Sequence, residues 1–218
     1  MFNSEFRETR IYLNEEIPLF IFVKLYEIKV TTLKVFILDF QDSFTFNLSH
    51  YFESLGAEVK VCFDDSLSLS ELNDFTHIVL SPGPGLPKEK KHLFPVIQEF
   101  RSKKPILGVC LGMQGVAEYL GAELYNLEKV KHGVSEQIVL QKDARLFKGV
   151  PEKKQVGLYH SWAVRNMNET GLRVTATNDD GVIMAFENVD QQLYGVQFHP
   201  ESIMTDQGRH ILRNFLNS

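Results

Sequence analysis

The sequence of 218 residues is poor in cysteine and contains no long apolar run, and each absence excludes a class of protein. Two cysteines, Cys62 and Cys110, are too few for a disulfide framework and are typical of a reducing compartment, so we expect a cytoplasmic protein. No apolar stretch reaches the roughly 18 residues of a membrane-spanning helix, so we expect no membrane partner. The net charge of −5 provides no basic surface for nucleic acid. The histidines other than His199 show no metal-ligand spacing, so we expect no metal site.

Apolar residues make up 44% of the sequence, which is enough for the core of one enzyme-sized domain. Up to residue 121, short apolar segments alternate with helix-forming segments. This alternation predicts βαβ units, with strands at 34–39, 58–63, 77–81 and 105–109 and helices at 43–55, 68–75, 92–102 and 114–120. The later pattern is rich in β-structure, with strands predicted at 136–140, 155–164, 172–177 and 182–187 and a last helix at 206–216. The sequence therefore predicts an α/β domain over 34–218, with a mostly parallel open sheet, helices on both faces and a β-rich C-terminal half.

A cysteine flanked by glycines stands at the junction of a predicted strand and a predicted helix. Residues 108–114 read Gly-Val-Cys-Leu-Gly-Met-Gln, which places Cys110 in a Gly-x-Cys-x-Gly arrangement. Small neighbours let the backbone turn sharply and expose a nucleophile, as in a nucleophile elbow. The N-terminus of a helix also favours the thiolate form. A buried structural cysteine is the alternative, but the glycines would remove the packing that such a position needs.

A candidate base for this cysteine lies near the C-terminal end, where residues 194–202 read Tyr-Gly-Val-Gln-Phe-His-Pro-Glu-Ser. A cysteine nucleophile needs a group that takes up its proton and later protonates the leaving amine, and His199 suits this role near neutral pH. Glu201 could orient the imidazole, because residues i and i+2 of an extended chain point to the same side. Alone, His-Pro-Glu is compatible with any surface turn. Together with Cys110 it predicts a Cys-His-Glu triad.

A loop in which glycine and proline alternate follows the predicted strand at 77–81. Its residues Gly83, Pro84 and Gly85 combine backbone N–H groups that can approach a substrate with a proline that stiffens the loop. An oxyanion hole requires such fixed donors, and the second donor would be the N–H of Leu111, directly after the cysteine. A phosphate-binding loop and a plain turn are the alternatives. The former would need a following Gly-Lys-Ser/Thr, which is missing.

In combination, these three segments resemble the class I (triad) glutamine amidotransferases. Residues 39–48, Asp-Phe-Gln-Asp-Ser-Phe-Thr-Phe-Asn-Leu, are similar to the opening motif of one subfamily, the glutaminase subunits of anthranilate synthase and aminodeoxychorismate synthase. The resemblance runs from about residue 34 to the C-terminus and implies a flavodoxin-like fold. It also implies a site for L-glutamine formed by Gly83, Pro84, Gly85, Gln114, Ser161 and Trp162.

The resemblance further implies an enzyme that hydrolyses L-glutamine and supplies ammonia to a chorismate-aminating large subunit. No cofactor is expected on this chain, because magnesium would belong to the partner subunit. The residues do not distinguish anthranilate from aminodeoxychorismate as the final product. The alternatives are a glutaminase subunit of another synthase, a stand-alone γ-glutamyl hydrolase and a non-catalytic binding subunit that has kept the fold.

Residues 1–33 precede the resemblance and form an N-terminal extension. Their apolar run at 17–23 has acidic residues before it, and neither the basic start nor the small-residue cleavage site of a signal peptide is present. Three interpretations are open: an added strand or helix, a partner-binding arm, or residues translated from upstream of the true start. We expect the third, because the related subunits begin close to Thr32.

Overall fold

The computed structural model describes residues 32–218, so the expectations for the N-terminal extension fall, except at residues 32 and 33, outside the described part of the chain. The strands are β1 (Lys34–Asp39), β2 (Glu58–Phe63), β3 (His77–Leu80), β4 (Ile106–Val109), β5 (Glu123–Asn126), β6 (Val134–Leu140), β7 (Lys153–Leu158), β8 (Trp162–Arg165), β9 (Arg173–Asn178), β10 (Ile183–Asn188) and β11 (Leu193–Val196). The α-helices are α1 (Thr45–Ser54), α2 (Leu93–Phe100), α3 (Leu111–Tyr119) and α4 (Gly208–Leu216). The segment predicted as a short helix at 68–75 forms a 3-10 helix, Leu69–Asp74. None of the helices within 32–218 has the length and apolarity to cross a membrane.

Nine of these strands form one sheet in the order β2-β1-β3-β4-β11-β10-β9-β6-β7. The first five strands of this order, from β2 to β11, run parallel to one another. The remaining pairs, from β11–β10 to β6–β7, are antiparallel. The predicted α/β class with a β-rich C-terminal half is confirmed, and the added strands extend the same sheet.

Helices cover both faces of the sheet, as predicted. Along β1, the buried side chains of Val35 and Ile37 point to one face and those of Phe36 and Leu38 to the other, because successive residues of a strand alternate. The first face packs against α1 and α4, and the second packs against α2 and α3. This double burial explains why the central strands are almost uniformly apolar.

The single strand predicted at 155–164 is wrong. The chain leaves the large sheet after Leu158, and β8 pairs instead with β5 in a separate two-stranded sheet. Residues 159–161 lie between the two sheets in sequence and belong to neither. These three residues therefore make no hydrogen bonds of a strand ladder, and they can line a cavity.

The parallel strands place their carboxyl ends at one edge of the sheet, where open α/β sheets bind their ligands. The loops that leave β1, β3, β4 and β11 at this edge carry the segments singled out in the sequence. The β4–β11 pairing brings Val109 opposite Val196. The cysteine that follows β4 and the histidine that follows β11 are thereby brought to the same edge from distant parts of the sequence.

Candidate active site

Cys110 lies at the turn between β4 and α3, where the sequence predicted it. Its φ of 51° and ψ of −104° are rare for a residue with a side chain. The turn is closely packed: a Cβ on Gly108 would lie 2.4 Å from the carbonyl carbon of Gly112, and one on Gly112 would lie 2.2 Å from the carbonyl oxygen of Leu80. Only glycine fits at these two positions, so the flanking glycines permit the strained conformation of the cysteine.

His199 and Glu201 form a buried pair, with 2.7 Å between Nδ1 and Oε1 and exposed fractions of 1% and 2%. The expectation that they lie on an extended segment is wrong. The chain turns here, and the N–H of Ser202 donates to the carbonyl oxygen of His199 at 3.1 Å. The turn is held in place because the N–H of His199 donates to the Gly157 carbonyl, and the Thr205 hydroxyl donates to the His199 carbonyl at 2.6 Å. The imidazole is therefore fixed by both its backbone and its carboxylate partner.

The surroundings of His199 favour its protonated form. Burial acts to lower its pKa, but the neighbouring Cys110 thiol and Glu201 carboxylate outweigh burial and raise the pKa to about 10. Burial raises the pKa of Glu201, while the neighbouring imidazole opposes this effect. Nδ1 of His199 is hydrogen-bonded to Glu201, whereas the buried Nε2 makes no hydrogen bond to another described residue. Nε2 is thus the nitrogen left to exchange protons with a reacting group.

A cavity of about 240 Å³ opens beside Cys110. Pockets for drug-sized ligands measure roughly 300–1,000 Å³, so this volume favours a smaller molecule such as an amino acid. The cavity is lined by all six residues predicted to bind glutamine, which are Gly83, Pro84, Gly85, Gln114, Ser161 and Trp162. Leu86, Tyr159 and His160 also line it. Within residues 32–218, no group of three or more His, Cys, Asp or Glu residues is placed to hold a metal ion.

The two predicted oxyanion donors belong to neighbouring segments. A Cβ on Gly83 would lie 2.6 Å from the Cβ of Phe40 and 3.0 Å from Cδ2 of Leu111, so the loop after β3 runs directly against the start of α3. Leu111 is the first residue of α3, where backbone N–H groups have no partner within the helix. Gly83 lines the cavity, whereas the side chain of Leu111 is buried in the core. Only the backbone of Leu111 is therefore suited to act in the site.

The Asp-Ser-Phe-Thr segment after β1 lies beside the histidine. Oδ1 of Asp39 accepts hydrogen bonds from the Thr45 hydroxyl at 2.7 Å and from the Gln41 N–H at 2.9 Å, which fixes the loop at the start of α1. The loop places the Phe44 ring 5.1 Å from the His199 imidazole, between ring centroids. Tyr159 packs against the same imidazole at 4.9 Å. The segment thus helps to enclose His199: Asp39 and Thr45 fix the loop, and Phe44 packs against the imidazole.

Two buried residues of the site were not predicted from the sequence. Nδ1 of His160 lies 2.8 Å from the carbonyl oxygen of Trp162, and burial, aided by the charge of His199, lowers the pKa of His160. Gln197 is fully buried, with its Nε2 3.6 Å from Sγ of Cys110. Both residues stand within segments that the sequence had singled out. Their position at the site depends on contacts between strands that are distant in sequence.

Comparisons with known proteins identify the family. The sequence model of the family Glutamine amidotransferase class-I matches residues 36–218. The chain is 41% identical over 187 residues to aminodeoxychorismate synthase component 2 of Klebsiella aerogenes, covering 84% of this chain and 99% of the relative. It is 37% identical over 188 residues to aminodeoxychorismate/anthranilate synthase component 2 of Bacillus subtilis, covering 84% of this chain and 96% of the relative.

A solved glutamine amidotransferase from Thermotoga maritima has the same fold. It superposes with a TM-score of 0.67 at 20% identity, covering 78% of this chain and 76% of that chain. The family match spans most of the sequence and includes the cysteine elbow, the buried His-Glu pair and the glycine-rich loop. The chain therefore belongs to the class I glutamine amidotransferase family and is homologous to component II of the anthranilate and aminodeoxychorismate synthases.

Proposed function

We propose that the chain is a glutaminase subunit that hydrolyses L-glutamine through Cys110, His199 and Glu201 and supplies ammonia to a chorismate-aminating subunit. The observation that carries this proposal is the buried His199–Glu201 pair, joined at 2.7 Å, next to a strained cysteine on the wall of a small cavity. Nucleophile, base and orienting carboxylate are the three groups that covalent acyl transfer needs.

In the first step, the Cys110 thiolate attacks the side-chain amide carbon of glutamine. The N–H groups of Gly83 and Leu111 stabilise the negative charge that forms on the amide oxygen. His199 donates its proton from Nε2 to the departing nitrogen, the carbon–nitrogen bond breaks, and ammonia leaves. The product that remains is a glutamyl thioester on Cys110.

In the second step, neutral His199 takes a proton from water, and the resulting nucleophile attacks the thioester carbon. The same two N–H groups stabilise the second oxyanion, and the carbon–sulfur bond then breaks to release glutamate and the thiolate. Glu201 holds the imidazole through its bond to Nδ1 during both steps. Gln114, Ser161 and Trp162, with the Gly83–Pro84–Gly85 loop, hold the amino acid end of the substrate in the cavity.

The partner would be the large subunit that aminates chorismate, to which both chorismate and magnesium would bind. The names of the homologues support this choice, because they are second components of synthases that make anthranilate or aminodeoxychorismate. Ammonia released into water is mostly protonated and no longer nucleophilic. It would therefore pass to the partner by a sheltered route from the edge of the sheet that carries Cys110.

The test is to mix the purified chain with the anthranilate synthase large subunit of its host, chorismate, magnesium and glutamine, and to follow anthranilate fluorescence. We expect glutamine-dependent fluorescence with the parent protein. Cys110→Ala should abolish it while leaving the ammonium-dependent signal unchanged, because the large subunit would still accept free ammonia.

A Cys110→Ala complex that uses glutamine at the parent rate would rule out the proposed triad. A signal from ammonium but not from glutamine would direct the test to the aminodeoxychorismate synthase large subunit, with glutamine-dependent formation of aminodeoxychorismate as the readout. If glutamate is released at full rate with neither large subunit present, the chain is a stand-alone hydrolase instead.

A further inference from the structure

A buried row of side-chain amides connects the wall of the cavity to the nucleophile. Gln114 and Gln197 have exposed fractions of 3% and 0%. Nε2 of Gln114 lies 2.9 Å from the carbonyl oxygen of Trp162 and 3.1 Å from Oε1 of Gln197. Nε2 of Gln197 lies 3.6 Å from Sγ of Cys110, within the longer hydrogen-bond range of sulfur. Every link of this row therefore has a donor and an acceptor.

The direction of the row follows from its end at Trp162. A backbone carbonyl only accepts hydrogen bonds, so the atom of Gln114 that faces it must be the NH₂ group. The second hydrogen of that NH₂ group needs an acceptor, which fixes the oxygen of Gln197 on the side of Gln114. The NH₂ group of Gln197 is then left to face Cys110. The two glutamine amides cannot be turned over without placing two donors or two acceptors against each other.

The backbone around this row is fixed as well. The N–H of Cys110 donates to the carbonyl oxygen of Val196 at 2.8 Å, directly before Gln197. The N–H of Gln197 donates to the carbonyl oxygen of Met184 at 2.8 Å. The separation between the Gln197 amide and the cysteine sulfur is thus set by the central strands of the sheet.

We propose that Gln197 is a positioning residue that donates an N–H to Sγ of Cys110 and stabilises the thiolate. Hydrogen bonds from a donor to an ionised acceptor are roughly twice as strong as those between neutral groups. Because the donor is buried and already oriented, it needs no rearrangement when the thiolate forms. Through Gln114, the same row links the nucleophile to the Trp162 wall of the cavity. The inference deepens the proposed function, since it rests on Cys110 being the nucleophile.

The test uses the rate at which iodoacetamide alkylates Cys110 as a function of pH, in a Cys62→Ser background so that only one thiol reacts. Gln197→Glu keeps the oxygen that faces Gln114 and replaces the donor that faces Cys110 with a second oxygen. We expect the midpoint of the profile to rise by about one pH unit, with alkylation about tenfold slower at pH values below the midpoint. Gln197→Met, which removes the donor without adding charge, should shift the midpoint in the same direction by less. Gln98→Glu makes the same charge change on the exposed face of α2 and should leave the profile unchanged.

Gln197→Glu and Gln197→Met proteins that unfold cooperatively but keep the parent profile would overturn the inference. If neither variant folds, the parent protein can be tested by NMR after labelling its glutamines with ¹⁵N. The side-chain NH₂ signal of Gln197 should then shift with pH as Cys110 ionises. A signal that does not respond to the ionisation or alkylation of Cys110 would also overturn it. Alkylation needs neither glutamine nor a partner, so a shifted profile without glutaminase activity would refute the proposed function and retain the role of Gln197.

Discussion

His199 is the residue on which the proposed chemistry depends, and two neighbours, Cys110 and Glu201, act together on its protonation state. Glu201 must hold the imidazole through Nδ1, and Cys110 must be able to exchange a proton with Nε2. Burial alone would favour the neutral imidazole. The thiol and the carboxylate together nevertheless stabilise the imidazolium and raise the pKa to about 10.

Removing one neighbour should lower the pKa of His199. In Cys110→Ala the stabilising effect of the thiol is lost, while burial and Glu201 remain, so the pKa should fall below about 10. The imidazole resonances of His199, followed by NMR from pH 6 to 11, measure this change. Cys62→Ala changes a thiol on β2 instead and should leave the titration of His199 as in the parent. An identical titration in the Cys110→Ala protein would mean that the thiol and the imidazole do not interact.

The site residues that could be predicted from the sequence are those whose type and spacing already indicate a chemical role. A cysteine between two glycines and a histidine followed by a glutamate carry chemical meaning before any fold is known. Gln197 and His160 do not, because glutamine and histidine serve many structural purposes. Their importance comes from the distances to Cys110 and Trp162, which depend on how β11 pairs with β4 and on where β7 ends.

The cysteine elbow is an element whose shape depends on the absence of two side chains. Gly112→Ala would bring a Cβ to 2.2 Å from the carbonyl oxygen of Leu80, and neither backbone can move without disturbing the sheet. We expect a loss of about 1–3 kcal/mol in the free energy of unfolding, measured by urea denaturation. Gly115→Ala, one turn further along α3, meets the flexible end of Leu93 instead and should cost less. Equal losses for the two variants would contradict the role of Gly112 in the turn.

Element boundaries followed the sequence where apolar runs end at clear turn signals. β1 and β2 have the predicted limits, and α1, α2 and α4 are shorter than predicted. The third α-helix was predicted to begin at 114, but it begins at Leu111, directly after the cysteine. The two-stranded sheet was missed, because the pattern at 155–164 reads as one continuous strand. The break at 159–161 is caused by tertiary packing, in which Tyr159 packs edge to face against His199 and the carbonyl of His160 accepts the N–H of Lys131. Local sequence contains no signal for either contact.

For the molecule as a whole, a buried histidine far from the elbow should make stability depend on pH. His77 begins β3, is 5% exposed and packs against Phe215 of α4 with ring centroids 5.2 Å apart. Burial lowers its pKa from 6.5 to about 4, against a smaller opposing effect of a backbone hydrogen bond at Leu216. Between pH 6.5 and about 4, His77 is therefore protonated to a greater extent in the unfolded chain than in the folded protein. The stabilising contribution is complete above pH 6.5 and is lost as the pH falls towards 4.

A shift of this size corresponds to about 3 kcal/mol in the free energy of unfolding. Urea denaturation at pH 7.5 and 4.5 should show most of this loss in the parent, and His77→Leu should reduce it. His50→Leu, at an exposed position on α1, provides the matched control and should keep the pH dependence of the parent. If His77→Leu loses as much stability as the parent over this range, another group is responsible.

The pairing of β4 with β11 has a consequence for the timing of activity. Cys110 lies near the middle of the sequence, whereas its proposed base and orienting carboxylate, His199 and Glu201, follow β11 near the C-terminal end. A nascent chain on the ribosome thus carries an incomplete site until β11 inserts between β4 and β10. Under the proposed mechanism, such a chain would not yet cleave glutamine, and a truncation between α3 and β11 would yield a fragment that contains the Cys110 thiol without His199.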